Sequence, residues 1–193
     1  MNSDRPLGAV LAGGRGSRMG GGKATVELGG SPLISYPLAE LAAAGLEAVV
    51  CAKEGDELPP LAVPVLREPA RPRHPLAGVV AALRAGEGRP LVVVACDMPF
   101  VASGLLRLLA ETPEPLVVPA VGGRLHPLLA RYEPVLLPRL EAALEAEAPV
   151  TATIEALGPH HLHEPDLARF GDPARLLFNV NDREDLARAE ELL

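Results

Sequence analysis

The residues best suited to chemistry lie in one stretch near the start of this 193-residue chain, Leu11-Ala12-Gly13-Gly14-Arg15-Gly16-Ser17-Arg18-Met19-Gly20-Gly21-Gly22-Lys23. Six of the eleven residues from Gly13 to Lys23 are glycine. Glycine has no Cβ, so such a backbone can come close to a ligand and present successive N–H groups to phosphate oxygens. Arg18 and Lys23 place positive charge at both sides of that cradle. Lys23 and Lys53 are the only lysines in a chain that otherwise uses arginine. A glycine cluster alone makes a flexible surface turn, but here an apolar run precedes it and two cations accompany it. Together they make it a phosphate-binding loop. A Walker loop is excluded, because Ser17 stands at its first glycine and Ala24 where its hydroxyl should be. A dinucleotide fingerprint is excluded because Met19 holds its last glycine position. The second chemical group is Asp97, in Cys96-Asp97-Met98-Pro99. Its carboxylate suits Mg²⁺, a hard ion usually shared with substrate phosphates. The alternative is that Asp97 caps a turn or the helix that follows.

These groups need elements to hold them. Gly8-Ala9-Val10-Leu11 reads as a buried first strand delivering the loop, with Thr25 to Leu28 as an extended segment closing it. Ser31-Pro32 reads as a helix start, serine as N-cap and proline in the first turn, running to about Ala44 and stopped by Gly45. Ala48-Val49-Val50-Cys51 is a second strand. Val63-Pro64-Val65-Leu66 is a third, its proline favouring an edge. A stiff loop with three prolines and three arginines, Arg67 to Pro75, leads to a helix over 76–85. Leu91-Val92-Val93-Val94-Ala95 is the most apolar strand and should be central, buried on both faces. It puts Asp97 at its carboxyl end, on the same side as the glycine loop. A helix over about 103–110 follows, then a strand at 116–119, a Gly122-Gly123 turn and a strand over 128–132. Helices are expected from 134 to 146, with Pro138 pushing the true start later, at 151–157, from Asp172-Pro173, and from Asn181 or Asp182 to the C-terminus. Such a pattern predicts one α/β domain over 1–193, a Rossmann-like, doubly wound, mostly parallel sheet of the nucleotide-diphospho-sugar transferase type. Residues 1–6 are expected to form a disordered tail.

Composition narrows the partners. The net charge of −7 is spread along the chain without a basic block, which argues against nucleic acid. No apolar run approaches twenty residues and no signal peptide is evident, so no membrane partner is expected. Cys51 and Cys96 each end an apolar run and read as buried thiols in a cytoplasmic, reduced setting. His161 and His163 alternate onto one face of a strand, with no acidic or thiol partner assigned to them, so a solvated strand is preferred to a metal site.

Leu-Ala-Gly-Gly-x-x-x-Arg-Met-Gly-x-x-Lys resembles the signature of the nucleotidyltransferases related to molybdenum cofactor guanylyltransferase (MobA). Pro75-Leu76-Ala77-Gly78, the Cys-Asp-x-Pro at Asp97 and the Phe-x-Asn-x-Asn segment from Phe178 to Asn181 extend the resemblance over nearly the whole chain. His74 departs from it by replacing a glycine, and Asp182-Arg183 replaces the more usual Thr-Pro. The resemblance implies that Leu11, Ala12, Gly13, Gly14 and Lys23 bind the nucleotide, and that Arg18, Lys23 and Asp97 are catalytic. It implies that Asp97 holds Mg²⁺ and that Glu68, in the loop after the third strand, helps bind the base or ribose. Lys53 falls where relatives place an amide. His126, Asn179 and Asn181 would line the acceptor's pocket. The implied reaction moves GMP from GTP to the terminal phosphate of molybdopterin carrying molybdenum, making the guanine dinucleotide cofactor and pyrophosphate. Partner proteins would be molybdenum-insertion proteins or molybdoenzyme chaperones. Two alternatives stay open: transfer of CMP to the same acceptor or of a nucleotide to a sugar or polyol phosphate, and a nucleotide-binding regulatory protein without turnover. Keeping Arg18, Lys23 and Asp97 together argues for turnover, because a binder does not need all three.

Overall fold

In the computed structural model, which describes residues 5–13 and 22–193, one twisted sheet carries helices on both faces. The strands are β1 (Leu7–Leu11), β2 (Glu27–Leu28), β3 (Ser31–Pro32), β4 (Ala48–Lys53), β5 (Val65–Glu68), β6 (Leu91–Ala95), β7 (Leu116–Val121), β8 (Arg124–Leu125), β9 (Leu129–Tyr132) and β10 (His160–Leu162). The helices are α1 (Ser35–Ala43), α2 (Pro75–Ala85), α3 (Ser103–Glu111), α4 (Leu137–Glu145), α5 (Val150–Ala156), α6 (Glu164–Leu167), α7 (Pro173–Leu176) and α8 (Arg183–Leu192). The main sheet runs in the order β10-β7-β9-β6-β1-β4-β5, with β8 attached to β7. The β6, β1, β4 and β5 strands are parallel, as are β7 and β10, whereas β9 runs antiparallel to both β6 and β7. The expected doubly wound, mostly parallel α/β fold is therefore present.

Alternation along the strands builds two cores. Val10, Val50, Val92 and Val94 face a layer made with Leu41 of α1 and Leu105, Leu106 and Leu109 of α3. Ala9, Val49, Cys51 and Val93 face the other layer, with Leu76, Val79, Val80 and Leu83 of α2, Leu140 of α4 and Ile154 of α5. β6 is buried throughout, as its valines predict. Gly8 lets α1 sit close to β1: a Cβ there would come within 2.9 Å of Leu41 Cδ2. A smaller cluster of Leu28, Leu33, Val180 and Ala189 fastens the β2–β3 hairpin to α8. No helix among the described residues is long and apolar enough to cross a membrane.

Some expectations are corrected. Ser31-Pro32 does not start a helix. Gly29 and Gly30 take φ of 54° and 79°, the pair of positive values a type I′ hairpin turn requires, so the chain doubles back and Ser31-Pro32 becomes β3. The helix begins at Ser35, whose Oγ donates to the Pro32 carbonyl at 2.6 Å. Its stop at Gly45, with φ of 75°, is as expected. The third strand lies two residues later than expected, so Glu68 is its last residue and not part of the loop. Asp97 caps no helix. The N-cap position of α3 is Ala102, and the Ser103 N–H donates instead to Glu40 of α1 at 2.6 Å. The short α6 was not foreseen; His163 and Asp166 form its capping box. The expected tail does not include Arg5 and Pro6, whose carbonyls accept from Arg89 at 2.9 and 3.4 Å.

Candidate active site

Every parallel strand of the central group ends at the same edge of the sheet, and each end carries a residue of interest. β1 ends at Leu11 and leads to Ala12 and Gly13. The Ala12 N–H donates to the Cys51 carbonyl at 2.8 Å, keeping the start of the loop against β4. β4 ends at Lys53, β5 at Glu68, and β6 is followed by Cys96 and Asp97. Here lies a cleft of about 1160 Å³ whose lining includes Gly13, Lys23, Lys53, Glu68, His74, Gly78 and Asp97. Arg71 and Arg73 from the proline-rich segment line its rim. Gly14 and Arg18 lie outside the described residues.

At one end of the cleft, Lys23 Nζ donates to Asp97 Oδ2 at 2.6 Å and to Asn181 Oδ1 at 2.7 Å. Residues far apart in sequence thus meet at one ammonium. Backbone ties hold the arrangement, because the Val180 N–H donates to the Asp97 carbonyl at 2.9 Å. The Asn181 N–H donates to Asp185 Oδ2 at 2.9 Å, in the first turn of α8. Asp182 caps that helix, its Oδ1 accepting from the N–H groups of Glu184 and Asp185. The other oxygen of Asp97, Oδ1, is buried and has no hydrogen-bond partner among the described residues. A buried carboxylate oxygen left without a donor is suited to a hard divalent cation. No cluster of three or more His, Cys, Asp or Glu exists among the described residues. A cation held by Asp97 would need further ligands of another kind, such as phosphate oxygens and water, which Mg²⁺ commonly uses.

At the other end, Lys53 Nζ meets Glu68 Oε2 at 2.6 Å, with the two side chains only 4 and 5% exposed. The two residues are direct cross-strand partners on β4 and β5. Lys53 also packs along Gly13, where a Cβ would lie 3.5 Å from Lys53 Cγ. Sequence reasoning missed this pair; the signal was available in the shared position at two adjacent strand ends. His74, which replaces a glycine of the resembled pattern, is the N-cap of α2. Its Nδ1 accepts from the Leu76 N–H at 3.3 Å while Nε2 lies 2.9 Å from the Ala148 carbonyl. The imidazole thereby ties the arginine-rich segment to the turn between α4 and α5.

A second cleft, of about 510 Å³, opens on the far side of Asp97. Its lining includes Arg124, His126, Thr151, Glu155, Asn179 and Asn181, and it shares Pro75, Ala95, Asp97 and Leu128 with the first. The expected acceptor-side residues are therefore gathered in one place. Burial, followed by the nearby Arg124 charge, lowers the His126 pKa from its usual value, favouring a neutral imidazole. Asn179 Nδ2 donates to the Leu177 carbonyl at 2.7 Å. His161 of β10 and His163, the N-cap of α6, stack edge to face at 5.9 Å, and neither lines either cleft. Cys51 and Cys96 are free and buried beneath the first cleft. Burial, then the charge of Glu68, pushes the Cys51 thiol up to about 12, and burial does the same in kind for Cys96. Neither is a nucleophile at neutral pH.

Residues 8–161 match the family model of the MobA-like NTP transferase domain. A molybdenum cofactor guanylyltransferase of Cereibacter sphaeroides is 38% identical, over 98% of this chain and 97% of its own length. A probable molybdenum cofactor guanylyltransferase of Pelotomaculum thermopropionicum is 31% identical, over 94 and 90%. Among solved structures, molybdopterin-guanine dinucleotide biosynthesis protein A from Archaeoglobus fulgidus superposes with a TM-score of 0.81 at 27% identity, covering 96% of this chain and 97% of that one.

Proposed function

The chain belongs to the MobA-like NTP transferase family, and from that premise we propose that it is a molybdenum cofactor guanylyltransferase. It transfers GMP from GTP to the terminal phosphate of molybdopterin carrying molybdenum, giving the guanine dinucleotide form and pyrophosphate. The observation that carries this reading is the meeting of Lys23, Asp97 and Asn181 at the wall between two clefts. The larger cleft takes the donor nucleotide and the smaller takes the acceptor.

An oxygen of the acceptor's phosphate forms a bond to the α-phosphorus of GTP. The bond from that phosphorus to the bridging oxygen of the β-phosphate breaks, and its electron pair leaves with pyrophosphate. The acceptor phosphate monoester is already ionised at neutral pH, so no side-chain nucleophile is needed, and neither thiol in the cleft could act as one. Positioning and charge neutralisation carry the rate. Lys23 supplies an ammonium beside the reacting phosphate. Asn181 holds that ammonium from the acceptor side. Asp97 would hold a divalent cation, Mg²⁺ in this reading, which on binding offsets negative charge on the phosphates. Gly13, with Leu11 and Ala12, offers backbone to the nucleotide, and Gly14 and Arg18 complete the loop in the same reading. His126 and Asn179 contribute to the acceptor's cleft. Free, buried thiols accord with a cytoplasmic setting. The labile product would pass to molybdenum-insertion or molybdoenzyme chaperone proteins.

Pyrophosphate release tests the proposal, with molybdopterin carrying molybdenum as acceptor and GTP, CTP or ATP as donor. Turnover with GTP alone is expected. Preference for CTP, or release that does not require the acceptor, would overturn it.

A further inference from the structure

The resembled pattern has a glycine before Pro75, and this chain has His74. The backbone there does not call for glycine, since φ is −114° and ψ is 137°, extended values open to any residue. The histidine therefore adds a side chain without strain, and that side chain makes bonds a glycine cannot make. We propose that His74 is a positioning residue of the transfer reaction, a latch that fixes the acceptor's wall against the donor's. The inference rests on the guanylyl-transfer reading and adds to it a residue that acts through the walls of the site and not on a substrate.

The ring nitrogens have fixed roles. Nδ1 faces the Leu76 N–H at 3.3 Å, and an amide N–H can only donate, so Nδ1 carries no proton. Nε2 lies 2.9 Å from the Ala148 carbonyl, which can only accept, so Nε2 holds the proton and donates the bond. One neutral tautomer thus joins the first turn of α2 to the turn between α4 and α5. Ala148 is itself firmly placed. Its N–H donates to the Ala143 carbonyl at 2.9 Å, and the Glu147 N–H donates to the Leu144 carbonyl at 3.1 Å, the paired bonds that close a helix end. Glu147 takes φ of 46° to make that closure, left-handed backbone in a residue that carries a Cβ. Pro149 follows with φ of −55°, and its carbonyl accepts from the Thr153 N–H at 3.0 Å as α5 begins. A proline ring fixes φ, so the direction of α5 is set directly after the carbonyl that His74 holds.

This turn borders both clefts. Glu145 and Glu147 line the first, and Val150, Thr151 and Glu155 of α5 line the second. Pro75, which follows His74, lines both. At the far end of α2, Arg84 pairs with Glu141 of α4, but Arg84 is largely exposed and such pairs hold little. The end of the α2–α4 contact that faces the clefts is left to His74. In the transfer reading the donor rests on strand ends and the glycine loop, and the bonds of His74 among the described residues go to neither. The acceptor's cleft has α5 as a wall, and the latch sets that wall. In-line transfer rewards such fixing, because a small misplacement of one reactant costs rate as well as affinity.

The test is pyrophosphate release by the full chain, with GTP and molybdopterin carrying molybdenum varied in turn, for wild type, His74→Asn, His74→Gly and Arg84→Ala. Asparagine is a favoured N-cap, so it keeps a bond to the first turn of α2, but its amide is too short to reach Ala148. Glycine loses both bonds. His74→Asn is expected to lower kcat/KM for the acceptor by about 10-fold, the scale of one hydrogen bond lost from a positioned wall, with KM for GTP within about 2-fold and Tm within about 2 °C of wild type. His74→Gly is expected to show the same acceptor loss together with a lower Tm. Arg84→Ala is expected to leave kcat and both KM values unchanged. A ring that served only to cap α2 would be replaced by asparagine in every readout. The inference is overturned if His74→Asn keeps the acceptor's kcat/KM within about 2-fold of wild type, or if it raises KM for GTP as much as KM for the acceptor. A His74→Asn chain that does not fold assigns the ring to stability and overturns the inference too. Wild-type protein without acceptor-dependent release overturns the transfer reading and this inference with it, whereas wild-type turnover matched by His74→Asn overturns this inference only.

Discussion

Asp97→Asn separates the chemistry of the site from its architecture. The substitution is isosteric. The amide oxygen can keep accepting from Lys23 Nζ, now as a neutral partner, and the amide nitrogen replaces the oxygen that has no partner among the described residues. The backbone tie from Val180 to the Asp97 carbonyl is untouched. The stability lost is the difference between a charged and a neutral hydrogen bond, about 1 kcal/mol, part of which returns because a buried anionic oxygen is removed. For a chain of this length that moves Tm by about 2–4 °C. The chemical loss is far larger. A preorganised charge aimed at a reacting phosphate contributes about 4 kcal/mol, or about 1,000-fold in rate. The assay is pyrophosphate release at saturating Mg²⁺, with paramagnetic resonance of Mn²⁺ binding and a melting curve run in parallel. The expected result is a loss of about three decades in kcat/KM, weaker Mn²⁺ binding and an almost unchanged Tm. Retention of more than about a tenth of the activity would refute the cation role, since it limits the lost stabilisation to about 1.4 kcal/mol. A fall in Tm beyond about 10 °C would show that the carboxylate holds the fold and not the reaction.

Two further predictions follow from the same geometry. Lys23→Ala should lower transfer by about 100-fold or more with little change in Tm, whereas Lys53→Ala strands a buried Glu68 carboxylate and should cost about 3–5 kcal/mol, read as a large fall in Tm. Equal effects of the two substitutions on both readouts would refute the division between them. Stability should also decline at alkaline pH. The folded protein holds the Cys51 proton up to about 12 while the unfolded chain releases it near the ordinary thiol value of 9.0, so above that value the unfolded state binds fewer protons and is favoured. Each unit of pH in this window costs about 1.4 kcal/mol per such thiol; Cys96 acts in the same direction, and Tyr132 joins above its ordinary value near 10. Urea unfolding from pH 8 to 10.5 measures the slope. A slope unchanged by Cys51→Ala would contradict this account.

The parts of the molecule legible in the sequence are those where one local signal dominates. Leu91 to Ala95 could only be a buried strand, and the Asp97 that follows it could only sit at a carboxyl edge. Ser31-Pro32 misleads because its helix-start signal is real but weaker than the Gly29-Gly30 turn in front of it. Local sequence puts Glu68 in a loop because Pro64 draws the strand towards the N-terminal side, whereas pairing with β4 carries it on to Glu68. Asn179 and Asn181 were expected to act alike. Both do line the second cleft, yet only Asn181 touches Lys23, because the tie from Val180 to Asp97 sets the register of that segment. That tie joins residues some eighty positions apart, and no local pattern encodes it. The Lys53–Glu68 pair follows only once β5 is carried on to Glu68, because its register opposite Lys53 comes from strand pairing and not from either local segment.

Strand order also accounts for the geometry that the reaction needs. In-line displacement requires attacking and leaving oxygens on opposite sides of the α-phosphorus. A sheet in which every strand met its neighbour in parallel would present one continuous edge. Here β9 is inserted antiparallel between β6 and β7, so the chain enters β9 at the edge where its parallel neighbours leave. The residues that precede β9, His126 to Leu128, consequently stand beside Asp97 and form the near wall of the second cleft. The lining of the first cleft extends from Asp97 towards β5, and that of the second extends from Asp97 towards β7. Asp97 lines both clefts because it follows β6, the strand at which the direction of pairing changes. A second substrate can thus approach the phosphate from the side away from the base, and no movement of the sheet is needed to bring it there.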